Sequence, residues 1–471
     1  MKRLSLLDSN FLIAENRETP MHVGGVSLYS YPRGVNKGKF LRELREIMVS
    51  STDLRAPFNQ RLARNLLSRA NLVFHWQQDR NLDLDYHVRH SALPKPGRYR
   101  ELFTLISRLH STLLDRNRPL WEMHLIEGIA GNQFAMYLKT HHCMMDGIAS
   151  MQMAQCMLSD SPEGYVDYSP LSREAWERYK RGAERPAQIS RADIHSLADR
   201  IGSQVGSQIG SATQLAKVLL KFGNVWLGGS RPLNVPWHAV PHSIISSRVS
   251  GSRRFVAQTW PYARIRAVGK ALEGTFNDAV LAMCSGGLRR YLVATGELPA
   301  MPLKAMVPIS LRLEGDLESA NAVGFIIANL ATQIEDPAER FHTIRQSMLA
   351  GKEVYGGLGP GEAALFTQLT MSPLLITNLL GAGQLLPAYN LVISNVPGPR
   401  STRYWNGARL DGIYPASIVL HGQAMNITLV SYGDHVDFGI IACRKSLPSV
   451  QRLLDFLEES LRELEDVSGL R

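Results

Sequence analysis

Segments of helical period and segments of strand period alternate in both halves of this chain, and no other feature restricts its fold so strongly. In the first half, Leu102, Leu105, Leu109 and Leu113 recur at helical spacing within Arg100–Leu114, and Phe134–His142 alternates in places as a strand does. Gly147–Leu158 reads as a helix with Ile148, Met151, Ala154 and Leu158 on one face. In the second half, Thr275–Asp278 opens a helix that runs to Leu292. Strands are expected at Leu303–Leu311, Val323–Ala331, Tyr389–Asn395, Ala424–Ser431 and Val436–Ala442. Tyr432-Gly433-Asp434 suits a hairpin turn between the last two. A final amphipathic helix carries Val450, Leu453, Leu454, Leu457, Leu461 and Leu464, with Ser446 or Ser449 as its cap. This alternation predicts an α/β fold of two layered, mixed-sheet domains, which 471 residues can fill.

The two halves are divided by a change of composition. Arg173 to Arg191 is dense in charge, and beyond it Ile201, Val205 and Ile209 recur every four residues among Gly202, Gly206 and Gly210. Each interior glycine costs a helix about 1 kcal/mol against alanine, so this stretch must pack on something. The expected division is residues 1–185, a crossover at 186–235, and residues 236–471.

Composition excludes several classes. Hydrophobic residues are 45% and charged residues 20%, so the bulk of the chain has enough apolar surface to fold and is neither disordered nor a coiled-coil rod. Fifty-two Lys and Arg against 42 Asp and Glu give a net charge of +10, diffuse rather than in runs. That charge suits anionic partners without choosing among them. Four cysteines, Cys143, Cys156, Cys284 and Cys443, form no CxxC pair and no zinc or disulfide framework. The opening residues lack an apolar run because Asp8 interrupts them, so a reducing cytoplasmic compartment is expected. No run reaches the roughly 18 unbroken apolar residues that a bilayer span needs. The nearest approach is Ala363–Pro399, which carries no charge but is broken by Gln368, Ser372, Pro373, Asn378, Gln384 and Pro387. A buried helix followed by a core strand explains it; a wall for a long apolar ligand, or a lipid-facing surface, is the sharper reading.

The chemistry concentrates at His141-His142-Cys143-Met144-Met145-Asp146-Gly147, between an expected strand and an expected helix. Histidine is the side chain best suited to take a proton near neutral pH. Adjacent residues on an extended chain point to opposite faces, so one histidine acts and the other is structural, and parity does not say which. A metal site on both histidines and Asp146 conflicts with their divergence and with the usual zinc spacings. A Cys143 nucleophile meets the same objection. A satisfied pair of core histidines and a general base both remain open on the residues alone.

A resemblance adds to this. HHxxxDG is the motif of the CoA-dependent acyltransferase superfamily, which includes chloramphenicol acetyltransferase and peptide-synthetase condensation domains. Ser5-Leu6-Leu7-Asp8, Phe11-Leu12, Glu15, Pro20–Gly25, Pro119-Leu120-Trp121-Glu122, Thr275-Phe276-Asn277-Asp278, Val307–Arg312 and Asn390–Pro399 resemble the bacterial wax ester synthase/diacylglycerol acyltransferase family, in order and over nearly the whole chain. The resemblance implies two chloramphenicol-acetyltransferase-like domains with a tunnel between them, and His142 as general base. A base on the acceptor hydroxyl is worth roughly 10²–10⁴ in rate. His141, Asp146 and Gly147 then support the motif, Asp146 by holding the loop. Thr275 with Asp278 is also a capping-box pattern, so Asn277 and Asp278 have a structural reading beside a role near the site. Asn395–Pro399 reads as a tight turn at the domain interface. Leu374, Leu375, Leu379 and Asn395 are the candidate tunnel wall. The implied reaction moves a long acyl group from acyl-CoA, a co-substrate, to a fatty alcohol or to diacylglycerol. It needs no metal, prosthetic group or nucleic acid, and it implies peripheral contact with the inner membrane or lipid inclusions. Rival readings are a carrier-protein-bound donor, another alcohol acceptor, or a lipid-surface binding protein without activity.

Overall fold

The computed structural model describes residues 2–63, 73–145, 151, 153–183, 211–226, 232–310, 323–379 and 383–471. Its strands are β1 (Lys2–Arg3), β2 (His22–Ser30), β3 (Gln60–Leu62), β4 (His75–Gln78), β5 (Val88–Ala92), β6 (Trp121–Ile129), β7 (Gln133–His141), β8 (Arg253–Pro261), β9 (Lys304–Ser310), β10 (Val323–Asn329), β11 (Leu391–Pro397), β12 (Tyr404–Trp405), β13 (Ala408–Ala416), β14 (Met425–Tyr432) and β15 (His435–Cys443). The helices are α1 (Leu6–Ala14), α2 (Lys37–Ser50), α3 (Leu84–His87), α4 (Tyr99–Ser111), α5 (Arg173–Ala183), α6 (Ser211–Trp226), α7 (Tyr262–Ala271), α8 (Phe276–Thr295), α9 (Pro337–Gly356), α10 (Pro360–Leu379) and α11 (Arg452–Val467).

Two mixed six-stranded sheets carry the molecule, in the orders β12-β13-β2-β7-β6-β5 and β10-β9-β11-β14-β15-β8. The first is antiparallel except for β5 against β6. In the second, β9, β11 and β14 run parallel. Every residue of β14 is buried, polar Asn426, Thr428 and Ser431 included, so both faces of this strand are covered. Gly433, at φ +56°, makes the expected turn into β15. A small sheet, β1-β4-β3, stands apart.

The halves interlock at two places. Strands β12 and β13 come late in the chain but join the first sheet, where β13 pairs with β2. Conversely α4, from the first half, covers the edge of β8: Ser107 and Ser111 Oγ accept from the Phe255 and Arg253 amides at 2.8 and 2.9 Å. Satisfying an edge strand this way removes a site of mispairing. One apolar core accordingly runs from Val26, Ile106 and Tyr137 of the first half into Phe255, Ile427 and Leu457 of the second.

The last helix packs on α8 through Leu453, Leu457, Leu461 and Leu464, all fully buried. Its close approach needs glycine on α8: a Cβ on Gly287 would lie 2.8 Å from Leu457 Cδ2, and one on Gly286 would collide with Ser460. The expected serine cap is absent. Gln451 takes the cap position without a side-chain bond, and Ser446 Oγ instead donates to the Arg248 carbonyl. The uncharged segment is a helix, α10, followed by the core strand β11. Where a turn is expected at Asn395, β11 continues to Pro397, paired with Ser431 of β14.

Candidate active site

Strand β7 delivers the histidine pair. Its flanks are β2 and β6, so it is held on both sides to its last residue, His141, which pairs with His22 of β2. His22 is buried, its pKa held well below the usual histidine value chiefly by that burial, and it is a neutral part of the scaffold: Nε2–H donates to the His110 carbonyl at 2.8 Å.

Beyond β7 the chain turns at once, with the Met144 amide donating to the His141 carbonyl at 2.9 Å. The two histidines diverge. His141 is fully buried. Its Nδ1 accepts from the Cys143 amide at 3.2 Å, which leaves the ring proton on Nε2, 3.4 Å from Glu15 Oε1. His142 remains partly open to solvent, and its ring stacks on Phe11 of α1, with centroids 4.2 Å apart and planes at 14°.

Glu15, at the end of α1, ties both histidines together. Its Oε2 accepts from Arg116 Nε and Nη2 at 3.1 Å each, and its Oε1 accepts from the Met21 amide at 3.1 Å. The Met21 carbonyl in turn accepts from the His142 amide at 2.9 Å. Burial alone would raise the Glu15 pKa, but His141, Arg116 and the Met21 amide outweigh it and hold the carboxyl below the usual range. So one carboxylate orients the His141 ring through its side chain and the His142 backbone through Met21.

Cys143 is buried, and burial pushes its thiol well above the ordinary value, so no thiolate is available for attack. Among the described residues no group of three or more His, Cys, Asp or Glu side chains stands close enough to hold a metal ion. Asp146 and Gly147 lie outside the described residues, as do the Leu375 and Leu379 side chains.

In the second half, Asp278 serves as a cap. It accepts from the Thr275 amide and hydroxyl at 2.8 and 2.7 Å, and the Thr275 hydroxyl accepts from the Asp278 amide at 3.2 Å, a complete capping box on α8. Asn277, beside it, is exposed, and its Oδ1 accepts from Asn395 Nδ2 of β11 at 2.8 Å. The structure thus brings Asn277 and Asn395 together. Leu374 packs beside Met371 against Tyr389 and Ile327 under the second sheet. The helix that carries it, α10, also touches α1. Thus α10, uncharged beyond Glu362, lies one helix away from the ring of His142.

Comparison with known proteins gives this geometry its context. Residues 4–280 match the family described as wax ester synthase/diacylglycerol acyltransferase catalytic domain, and residues 319–465 match its C-terminal domain. The chain belongs to the wax ester synthase/diacylglycerol acyltransferase family. It is 43% identical over 465 residues, 98% of each chain, to a Mycobacterium tuberculosis protein described as a probable diacylglycerol O-acyltransferase. It is 41% identical over 468 residues to the O-acyltransferase WSD of Acinetobacter baylyi, covering 99% of this chain and 98% of that one. Among solved structures, the wax ester synthase/diacylglycerol acyltransferase of Marinobacter aquaeolei VT8 superposes with a TM-score of 0.77 at 39% identity, over 100% of both chains. The starter condensation domain of rhizomide synthetase shares the fold alone, with a TM-score of 0.56 at 13% identity over 99% of this chain and 94% of that one. As a member of this family the chain is an O-acyltransferase, and its two mixed sheets are the expected fold class.

Sequence reasoning singled out His142, His141, Asn277 and Asn395, but it used Glu15 only as part of a family pattern and passed over Arg116. The signal for Arg116 is long-range: 101 residues separate it from Glu15.

Proposed function

We propose that this family member transfers a long acyl group from acyl-CoA to a fatty alcohol, giving wax ester, or to diacylglycerol, giving triacylglycerol, with His142 as general base. The observation that carries the base assignment is the different fate of the two histidines. His141 is fully buried, with Nδ1 and Nε2 both facing protein partners, whereas His142 is partly exposed, its ring stacked on Phe11 and its backbone amide donating to the Met21 carbonyl.

The steps follow from the chemistry. The acceptor hydroxyl is a weak nucleophile until a base takes its proton during attack. His142 takes that proton as the oxygen bonds to the thioester carbon. The carbonyl becomes an oxyanion, which needs donors. Asn277 is the candidate from the second half: Asn395 occupies its Oδ1 and leaves its NH₂ as a donor. The oxyanion then collapses, the carbon–sulfur bond breaks, and the CoA sulfur leaves with the proton from His142. Ester and free CoA thiol are the products, and no covalent acyl-enzyme forms. The acceptors are insoluble, so the reading includes peripheral contact with membrane or lipid inclusions from the cytoplasmic side. No described helix is long and apolar enough to cross a membrane. We assign the long-chain wall to the side of the tunnel formed by α10, which supports the reading by packing on α1, the helix that carries Phe11.

The test is product identification. Purified protein given ¹³C-palmitoyl-CoA with hexadecanol or dioleoylglycerol should yield labelled palmityl palmitate or triacylglycerol by mass spectrometry. Labelled product only with a carrier-protein-bound palmitoyl group would replace the donor.

A further inference from the structure

We propose that α6 and the N-terminal half of α10 form the face by which the enzyme docks on an anionic lipid surface. The proposal deepens, and rests on, the reading that its acceptors are lipids.

These two helices meet at an aromatic seam, where Phe222 of α6 meets Phe366 of α10 edge-on at 4.7 Å between ring centroids. Below the seam Val225 and Phe366 are buried. Around it, large apolar side chains stand in water. Trp226 is 51% exposed and Leu369 48%, and Leu219 and Leu365 are exposed with them. Leu219 lies one turn before Phe222, Trp226 one turn after it, and Leu369 one turn past Phe366, so by spacing these side chains border the seam. A rim of this kind differs from the scattered single leucines that any surface carries.

Charge indicates what covers it. Lys217, Leu220 and Lys221 share the outward side of α6 by their spacing of three and four, with Leu220 at 68% exposure between the two cations, of which Lys221 also stands 3.8 Å from exposed Glu353 of α9. The helix contains no Asp or Glu. Leucine and tryptophan flanked by lysine are the composition of a helix that lies in a membrane interface, and the chain's net charge of +10 has the same sign preference. The position also suits a lipid acceptor. Past Glu362, α10 carries no charge as far as its end at Leu379, and it packs on α1, whose Phe11 stacks on His142. A lipid leaving the surface at the rim therefore reaches the candidate base along an uncharged helix.

Flotation of the full-length protein with phosphatidylcholine vesicles, with and without phosphatidylglycerol, tests the proposal. Wild type should float with the anionic vesicles and much less with the neutral ones. Lys217→Glu with Lys221→Glu should weaken binding by about fivefold or more per lysine. Leu219→Asp with Leu220→Asp should weaken it by at least about tenfold. Both variants should keep wild-type turnover of palmitoyl-CoA with a short, water-soluble alcohol, since none of these residues touches the histidine site. Flotation of both variants equal to wild type would overturn the proposal, as would a wild type that floats with neither vesicle. It would also be overturned if sedimentation showed the variants splitting a dimer while flotation stayed unchanged, because the face would then join two copies. Absence of turnover with every acceptor would sink the acyl-transfer reading while flotation still judged the face.

Discussion

Glu15 acts at the scale of a few atoms: its carboxylate holds the His141 ring, the Arg116 guanidinium and, through Met21, the backbone of His142. A residue that positions a base without touching substrate should change kcat and leave KM for acyl-CoA alone. Glu15→Gln should therefore lower kcat by less than the roughly 10²–10⁴ that a positioned base supplies, and Glu15→Asp should restore part of it. A change confined to KM in steady-state kinetics would place Glu15 in substrate binding instead. The histidine pair itself was legible in the sequence, because a turn after an extended run forces adjacent side chains apart. Which histidine is sealed was not legible, since Glu15, which faces the Nε2 of His141, comes from the end of α1, far away in sequence. The capping role of Asp278 was readable for the opposite reason: Thr275 is three residues away and needs no tertiary contact. Asn395 joined to Asn277 was not, because 118 residues separate them.

Helix against helix, the contact of α8 with α11 depends on Gly286 and Gly287. Gly287→Val should press on Leu457 and lower stability by about 1–3 kcal/mol, read from the denaturant midpoint, while exposed Gly296→Ala at the end of the same helix should act only through its left-handed backbone. The hairpin of β14 and β15 gives a pH-dependent test. His435 stands beside Asp437 and Asp434, and the Asp437 contact in particular raises its pKa to about 9 against burial. A raised histidine pKa contributes stability that is full below the ordinary value of about 6.5 and is lost as pH rises through about 9. His435→Gln should flatten the fall in Tm over that window, and an unchanged slope would remove His435 from the account. Most elements were visible from periodicity, including β14, β15 and α11. The strand β13 was not, because Asp411, Gly412 and Pro415 break its alternation and a bulge lies between Leu410 and Gly412.

The whole molecule is two sheets, the first completed by strands from the second half of the chain and the second covered at its β8 edge by α4 of the first half. Local pattern shows two α/β units but cannot show this exchange, since β13 finds β2 nearly 400 residues earlier. One consequence is that residues 1–235 alone lack β12 and β13 and leave β2 as an open edge. That fragment should be insoluble or associate when expressed, whereas a soluble monomer by sedimentation would show the first sheet to be complete without them.

The central claim is that His142 is the base for transfer from acyl-CoA to a lipid hydroxyl. Its most direct test is release of free CoA thiol from palmitoyl-CoA with hexadecanol, with dioleoylglycerol and with neither, by wild type, His142→Ala and Cys143→Ala of equal circular dichroism. Acceptor-dependent release should be abolished in His142→Ala and largely kept in Cys143→Ala. Release that survives His142→Ala and is lost in Cys143→Ala would contradict the account.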